Sequence, residues 1–551
     1  MRFVLTLHSH LPWVLNHGRW PHGSDWLSEA TLDTYLPLLA MLDRADATDT
    51  PTPITVGITP ILAAQLADSS YRGEIEDYFA HRLETIAEAP ASLRETGDEE
   101  LLPLVPFWER HITGLRDTWQ RLDGDLIAAF RRHAESGRIE LISSAATHGF
   151  LPLLGRDESI RLQLLVGRAE HLRRFGELPT GCWAPECAYR PRGPWQPLPE
   201  ARGMALRRGT DEHLRDAGFR WFVVDAHLAH AGEAAELYDG ESTEIRTGRL
   251  ARRSPYRAYQ VGRKERGRGR PMRVLVRDPE TTARVWSRHG GYPGDSRYLE
   301  FHKIRYPGGL KFWRVTDPAA DLGAKAPYRP DEASDAVRGH ATHFRSLLER
   351  LGADTRSGDT GIMAPFDTEL FGHWWFEGVD FLGALYDGLT GEGHVHPVTA
   401  GRSLEEAPPT TVIRMPEGSW GANGDFSMWL NDETAWTWRR LWPLEERFWN
   451  AVPGALAHEA VQPVLEQAAR ELLLAQSSDW QFIISTGAAG DYATKRFNGH
   501  CDALERLLPV LEGGSGDLAG ARGIAEAYHR IDGPFDTLIG AIAAASDVTH
   551  P

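Results

Sequence analysis

Short, mostly apolar runs alternate with amphipathic stretches along the first three quarters of this 551-residue chain. The runs at 3–7, 54–58, 139–143, 181–184, 221–224, 274–276 and 362–366 predict seven strands, separated by helical stretches and Gly or Pro breakers. Runs apolar on both faces and alternating with helices predict a parallel sheet covered on both sides. Seven such units within about 370 residues favour a closed or nearly closed β/α barrel over an open sheet.

A polar residue follows almost every run: His8 and His10, His148, Glu186, Asp225 with His227, Asp278, and Asp367. Chemistry in a β/α barrel sits at the carboxyl ends of the strands. One such residue alone is usually a satisfied structural group, but six of seven strands carrying one is harder to dismiss. Three segments break the repeat. Residues 71–125 are helical in pattern, include Trp108 and Trp119, and fit an insertion between the second and third strands. Residues 229–273 are loop-like and end in an Arg- and Lys-rich run, best taken as a solvated loop. From 425 onward the pattern is wholly helical, amphipathic over 457–474 and 501–511, with Gly-rich breaks at 487–490 and 513–516. The expected architecture is α/β. A seven-stranded, incomplete TIM-like (β/α)7 barrel spans 1–70 and 126–424, with a helical insertion at 71–125 and an all-α C-terminal domain at 425–551.

Composition narrows the function. A formal net charge of −17 argues against nucleic acid as a partner. No stretch approaches a membrane span, so no membrane partner is expected. The N-terminus starts at once with a strand-like run and lacks a signal-peptide pattern, and the three cysteines cannot form a disulfide framework. A cytoplasmic protein is expected, and nothing in the pattern fixes an oligomeric state. Nineteen Trp is a high count for this length, and Trp needs a packing or stacking reason.

Two motifs carry the chemistry: Trp183-Ala184-Pro185-Glu186 and Pro365-Phe366-Asp367-Thr368-Glu369-Leu370-Phe371-Gly372-His373. Each sets a carboxylate just past an apolar run. Two carboxylates from different strand ends are the minimum equipment for breaking a glycosidic bond. Pro185 restricts Ala184 to an extended conformation, which fixes how the strand delivers Glu186. Either Asp367 or Thr368 could instead cap a following helix. Leu7-His8-Ser9-His10 has two readings: a divalent-metal site, since alternate strand positions share a face, or hydrogen bonding to sugar hydroxyls. No Lys follows a middle strand to complete a metal site, and sugar contact is favoured because the two-carboxylate site explains more residues. No metal and no organic cofactor are expected.

These motifs, in order with residues 137–149 and a downstream aromatic block, resemble glycoside hydrolase family 57, and within it the α-1,4-glucan branching enzymes. The resemblance implies that Glu186 is the nucleophile and Asp367 the general acid/base of a retaining reaction on α-1,4-glucan. It implies that Trp286, Trp420 and Trp429 line the glucan groove and that Asp479 approaches the site, beside sugar contacts from His8, His10 and His148. It also implies a loop Tyr that keeps water from the intermediate, for which Tyr238 is the candidate within 229–248. The alternatives are an α-glucan hydrolase or 4-α-glucanotransferase on the same scaffold, a metal-dependent hydrolase using His8 and His10, and a non-catalytic glycan-binding protein.

Overall fold

The computed structural model describes residues 1–200, 206–230, 253–261, 271–287, 290–306, 308–354, 356–390, 393–513 and 517–547. Each of the seven apolar runs forms a strand: β1 (Arg2–Ser9), β2 (Ile54–Ile58), β3 (Ile139–Ser144), β4 (Gly181–Trp183), β5 (Trp221–Val224), β6 (Met272–Val276) and β7 (Gly361–Asp367). They pair in parallel in the order β7-β1-β2-β3-β4-β5-β6. Between β6 and β7 the sheet is joined by a single bridge, Arg277 to Met363, so the barrel is incomplete at this seam. β2 and β5 are buried at every position and β1 at all but Arg2, which is why their sequences are mostly apolar rather than alternating, with Thr6 and Thr55 among the buried exceptions. Gly181 is required at the start of β4, since a Cβ there would lie 2.2 Å from the Trp221 indole.

The sheet continues past β6 with Tyr259–Val261, antiparallel, and then Val412–Ile413. Residues 229–273 read as loop in the sequence, and a three-residue strand is too short to leave a period there. Between β2 and β3 the chain forms Pro60–Leu66, Ser69–Thr96, Val105–Arg121 and Leu126–Glu135. Asp68 caps the second of these by accepting from Ser70 N, and left-handed Gly97 ends it.

Among the described residues, six α-helices follow residue 434: Ala435–Leu456, Gln462–Ala475, Asp479–Thr486, Gly490–Leu511, Leu518–His529 and Ile539–Ser546. Gln462–Ala475 is buried on all sides of its last two turns, from Gln467 to Ala475. It is bound to the barrel as well as to its own bundle. Thr147 Oγ1 donates to the Leu473 carbonyl, Gln163 Nε2 donates to Gln476 Oε1 at 3.0 Å, and Ser477 bridges Gly149. The turn that leaves this helix, Ser477-Ser478-Asp479, therefore arrives at the carboxyl ends of β1, β3 and β4.

Candidate active site

Glu186 stands three residues beyond Trp183, the last strand residue of β4. Ala184 is extended (φ −61°, ψ 123°), as the following Pro185 requires. Glu186 and Cys187 are then left-handed, with φ of 60° and 48°. His148, beyond β3, is left-handed too, with φ of 58°. Such conformations cost of order 1–3 kcal/mol each in a residue with a Cβ and persist only where the surroundings hold them. Backbone bonds do so here: Trp420 N donates to the Glu186 carbonyl at 3.0 Å and Ser478 N to the His148 carbonyl at 3.1 Å.

The turn aims the Glu186 carboxylate at two donors. Ser478 Oγ donates to Oε1 at 2.9 Å, and the Trp420 indole N–H donates to Oε2 at 2.9 Å. Burial pushes the carboxyl up to about 7, against those two hydrogen bonds and with the charges of Asp367 and Asp479 adding to the rise.

Asp367 ends β7, where it pairs in register with His8 of β1. Its side chain makes no helix-cap hydrogen bond, so the capping alternative does not hold. Burial and the neighbouring charge of Glu369 push it up to about 8, and Arg277 opposes this. Glu369 was not singled out by sequence reasoning. It lies two residues on, accepts from Tyr35 OH at 2.5 Å and His10 N at 3.2 Å, and is itself raised by burial to about 7. Its signal was a second acid at i+2 in the same motif.

The three histidines come together. His8 Nε2 lies 3.0 Å from His148 Nε2, and the His8 ring stacks on Trp183 at 4.6 Å. His10 and His148 stack at 4.1 Å. His10 Nδ1 meets Thr59 Oγ1 at 3.0 Å, and its Nε2 meets Asp479 Oδ2 at 2.9 Å. Burial works against the Asp479 charge, but His10, His148 and Ser477 hold it down at about 2. His10, His148 and Asp479 have the spacing of a metal site. All four of their ring nitrogens are already hydrogen-bonded, to Thr59, Asp479, His8 and Ser478. His8, which the metal reading paired with His10, is not in that set.

The remaining strand-end acids are structural. Asp225 accepts from Arg277 at 3.1 Å and from His227 Nδ1 at 3.0 Å. His227 Nε2 also donates to the Gly424 carbonyl at 2.8 Å. Burial disfavours its charge, yet Asp225 keeps its pKa above the usual value. Asp278 caps Pro279–Trp286 through Thr281 N at 2.7 Å.

Of the tryptophans, Trp420 is held by Glu186 below it and by Arg277 over its ring at 5.2 Å. Trp286 is partly exposed, and its ring meets that of Trp420 edge-on at 6.4 Å. Trp429 has no exposed surface; it stacks on Phe150 at 4.5 Å and has no face open to a ligand. Tyr238 and most of 229–248 lie outside the described residues.

Residues 4–416 match the model of glycosyl hydrolase family 57, and residues 442–538 match that of the 1,4-alpha-glucan branching enzyme C-terminal region. A 1,4-alpha-glucan branching enzyme of Thermococcus kodakarensis is 41% identical over 513 residues, 92% of this chain and 73% of its own length. The crystal structure of a branching enzyme of family 57 from that archaeon, in complex with glucose and additives, matches with a TM-score of 0.88 and 37% identity. The match covers 100% of this chain and 97% of that one. The alpha-amylase AmyC of Thermotoga maritima matches with a TM-score of 0.79 and 27% identity, over 98% of this chain and 99% of its own. On the family model and on the identity to the archaeal enzyme, this chain belongs to glycosyl hydrolase family 57.

Proposed function

We propose that this protein is a 1,4-alpha-glucan branching enzyme that works by a retaining double displacement, with Glu186 as nucleophile and Asp367 as general acid/base. The observation that carries the activity is the 41% identity to a branching enzyme over 92% of the chain. The branching-enzyme C-terminal match at 442–538 supports it. The roles are supported by two buried carboxylates raised to about 7 and about 8, one of which is therefore ionised while the other keeps its proton near neutrality.

In the first step a Glu186 oxygen bonds to the anomeric carbon as the α-1,4 bond breaks, and Asp367 gives its proton to the departing 4-oxygen. In the second, the Asp367 carboxylate takes the proton of an acceptor 6-hydroxyl. That oxygen attacks the same carbon, and the ester to Glu186 is released. Two inversions give net retention and an α-1,6 branch; water in place of the acceptor gives hydrolysis. Trp286 and Trp420 border the sugar path, Trp429 packs the wall behind it, and His10 with Asp479 faces sugar hydroxyls. Tyr238 is assigned the shielding of the intermediate from water. The division into a barrel (1–70 and 126–424), an insertion (71–125) and a helical C-terminal domain (425–551) belongs to this proposal, supported by the separate family matches to 4–416 and 442–538. So does a part in glycogen synthesis in the cytoplasm, supported by three buried free thiols.

The likeness to the alpha-amylase favours one second reading, an α-glucan hydrolase. Incubation with amylose, followed by proton NMR of α-1,6 and α-1,4 linkages and by reducing-end assay, separates the two. New α-1,6 signal with few new reducing ends is the expected result. Reducing ends rising without α-1,6 signal would make the protein a hydrolase.

A further inference from the structure

The geometry points to Ser478 as a positioning residue for Glu186, with His148 and His8 acting through it as a one-directional hydrogen-bond relay from the carboxyl end of β1 to the nucleophile. This rests on the reading of Glu186 above. Four contacts define the relay: His8 Nε2 to His148 Nε2 at 3.0 Å, His148 Nδ1 to Ser478 Oγ at 3.0 Å, and Ser478 Oγ to Glu186 Oε1 at 2.9 Å, with the Trp420 indole on Oε2 at 2.9 Å.

The direction follows from proton counting. An ionised carboxylate only accepts, so the single Ser478 proton points to Glu186, and Ser478 must receive a proton at its lone pair. His148 supplies it from Nδ1. Burial, with the neighbouring His10, keeps the His148 pKa well below its ordinary value, so the ring carries one proton and its Nε2 is bare. That nitrogen can accept only from His8 Nε2–H. His8 is neutral for the same reason, burial first and then His148 and His10, so its Nδ1 carries no proton. His8 Nδ1 is indeed buried without a hydrogen-bond partner. Each proton in the chain has one place to be, and the one ring nitrogen of His8 and His148 without a partner, His8 Nδ1, carries no proton to leave unsatisfied.

The relay has a purpose. Were His148 protonated at Nε2 instead, its bare Nδ1 would compete for the Ser478 proton and leave Glu186 Oε1 unpaired. His8 forbids that tautomer by presenting its own N–H to Nε2. His148 then has both ring nitrogens committed to the relay, whereas those of His10 are held by Thr59 and Asp479. Ser478 also comes from the helical C-terminal part of the chain. The nucleophile is thus completed by a residue outside the barrel and is sensitive to how the helical part is seated.

The test is the pH dependence of kcat/KM on amylose. The charged and titratable groups facing Glu186 are His148 from β3, Asp367 from β7 with Arg277 beside it, and Asp479 from the helical part. None of these is altered in Ser478→Ala. Loss of the hydroxyl should move the acid limb to higher pH by about one unit and lower kcat about tenfold with KM little changed, while Ser478→Thr restores both. Should Ser478→Ala fail to fold, Ser478→Cys, which keeps the shape with a weaker donor, should show the same direction of shift. Adding His148→Gln to the Ser478 variant should move the limb no further, because both act through one bond. An unmoved acid limb, or additive effects of the two substitutions, would overturn the relay. Full turnover in Glu186→Gln would instead overturn the nucleophile reading, so the two failures are distinguishable.

Discussion

The carboxyl ends of β4 and β7 solve opposite problems with the same residue chemistry. At β4 the backbone is left-handed, and both oxygens of Glu186 receive a hydrogen bond. At β7 the backbone of Asp367 is extended (φ −66°, ψ 135°), and among the described residues its carboxyl receives no hydrogen bond and has Glu369 as a neighbour. Both groups are desolvated, which alone would keep both protonated. Donors lower the cost of charge at Glu186, and a like charge raises it at Asp367. Burial makes these groups titrate near neutrality; their partners decide which of them gives up its proton first.

Substitutions test this asymmetry from its strongest element downward. Glu186→Gln removes the attacking oxygen, and turnover of amylose should fall by at least about 10³-fold with the thermal midpoint little changed. Asp367→Asn should cost about 10²–10⁴-fold on amylose. Much of that loss should return on an α-glucoside whose leaving group departs as a stable phenolate, since no proton is then needed. Equal recovery in both variants would erase the distinction between the two strand ends. The mildest change is Glu369→Gln. In the wild type, kcat/KM should follow a bell with its acid limb near 7, where Glu186 must ionise, and its basic limb near 8, where Asp367 must keep its proton. Taking away the charge of Glu369 lets Asp367 lose that proton more readily, so the basic limb should move to lower pH while the acid limb stays. A basic limb that does not move would mean that burial alone sets the Asp367 proton.

Strand ends also show how far a polar residue after an apolar run can be trusted. Glu186, Asp367, His8, His10 and His148 converge on one site, whereas Asp225 and Asp278, with the same signature, serve an ion pair and a helix cap. Asp278 and Asp367 both stand at a strand end before a helical turn, and a short-range difference separates them: Thr281, three residues on, occupies Asp278 with its N–H and hydroxyl, while Asp367 makes no cap bond. Trp429 makes the same point for aromatics, since its motif announced a large flat ring but not that Phe150 would cover it.

Some features needed only the chain itself. Seven strands and their alternation with helices were legible because strands buried on both faces are mostly apolar, and such runs survive without context even with Thr6, Thr55 or Glu140 inside them. The two carboxylate motifs were legible because Pro185 acts on its neighbour and the acids sit at strand ends. The tertiary structure alone decided the partners. Ser478 reaches Glu186 from 292 residues away, Tyr35 reaches Glu369 from 334, and His10 reaches Asp479 across 469. Hydrogen bonds and desolvation depend on what folding brings within a few ångströms, and at such separations no local pattern records it.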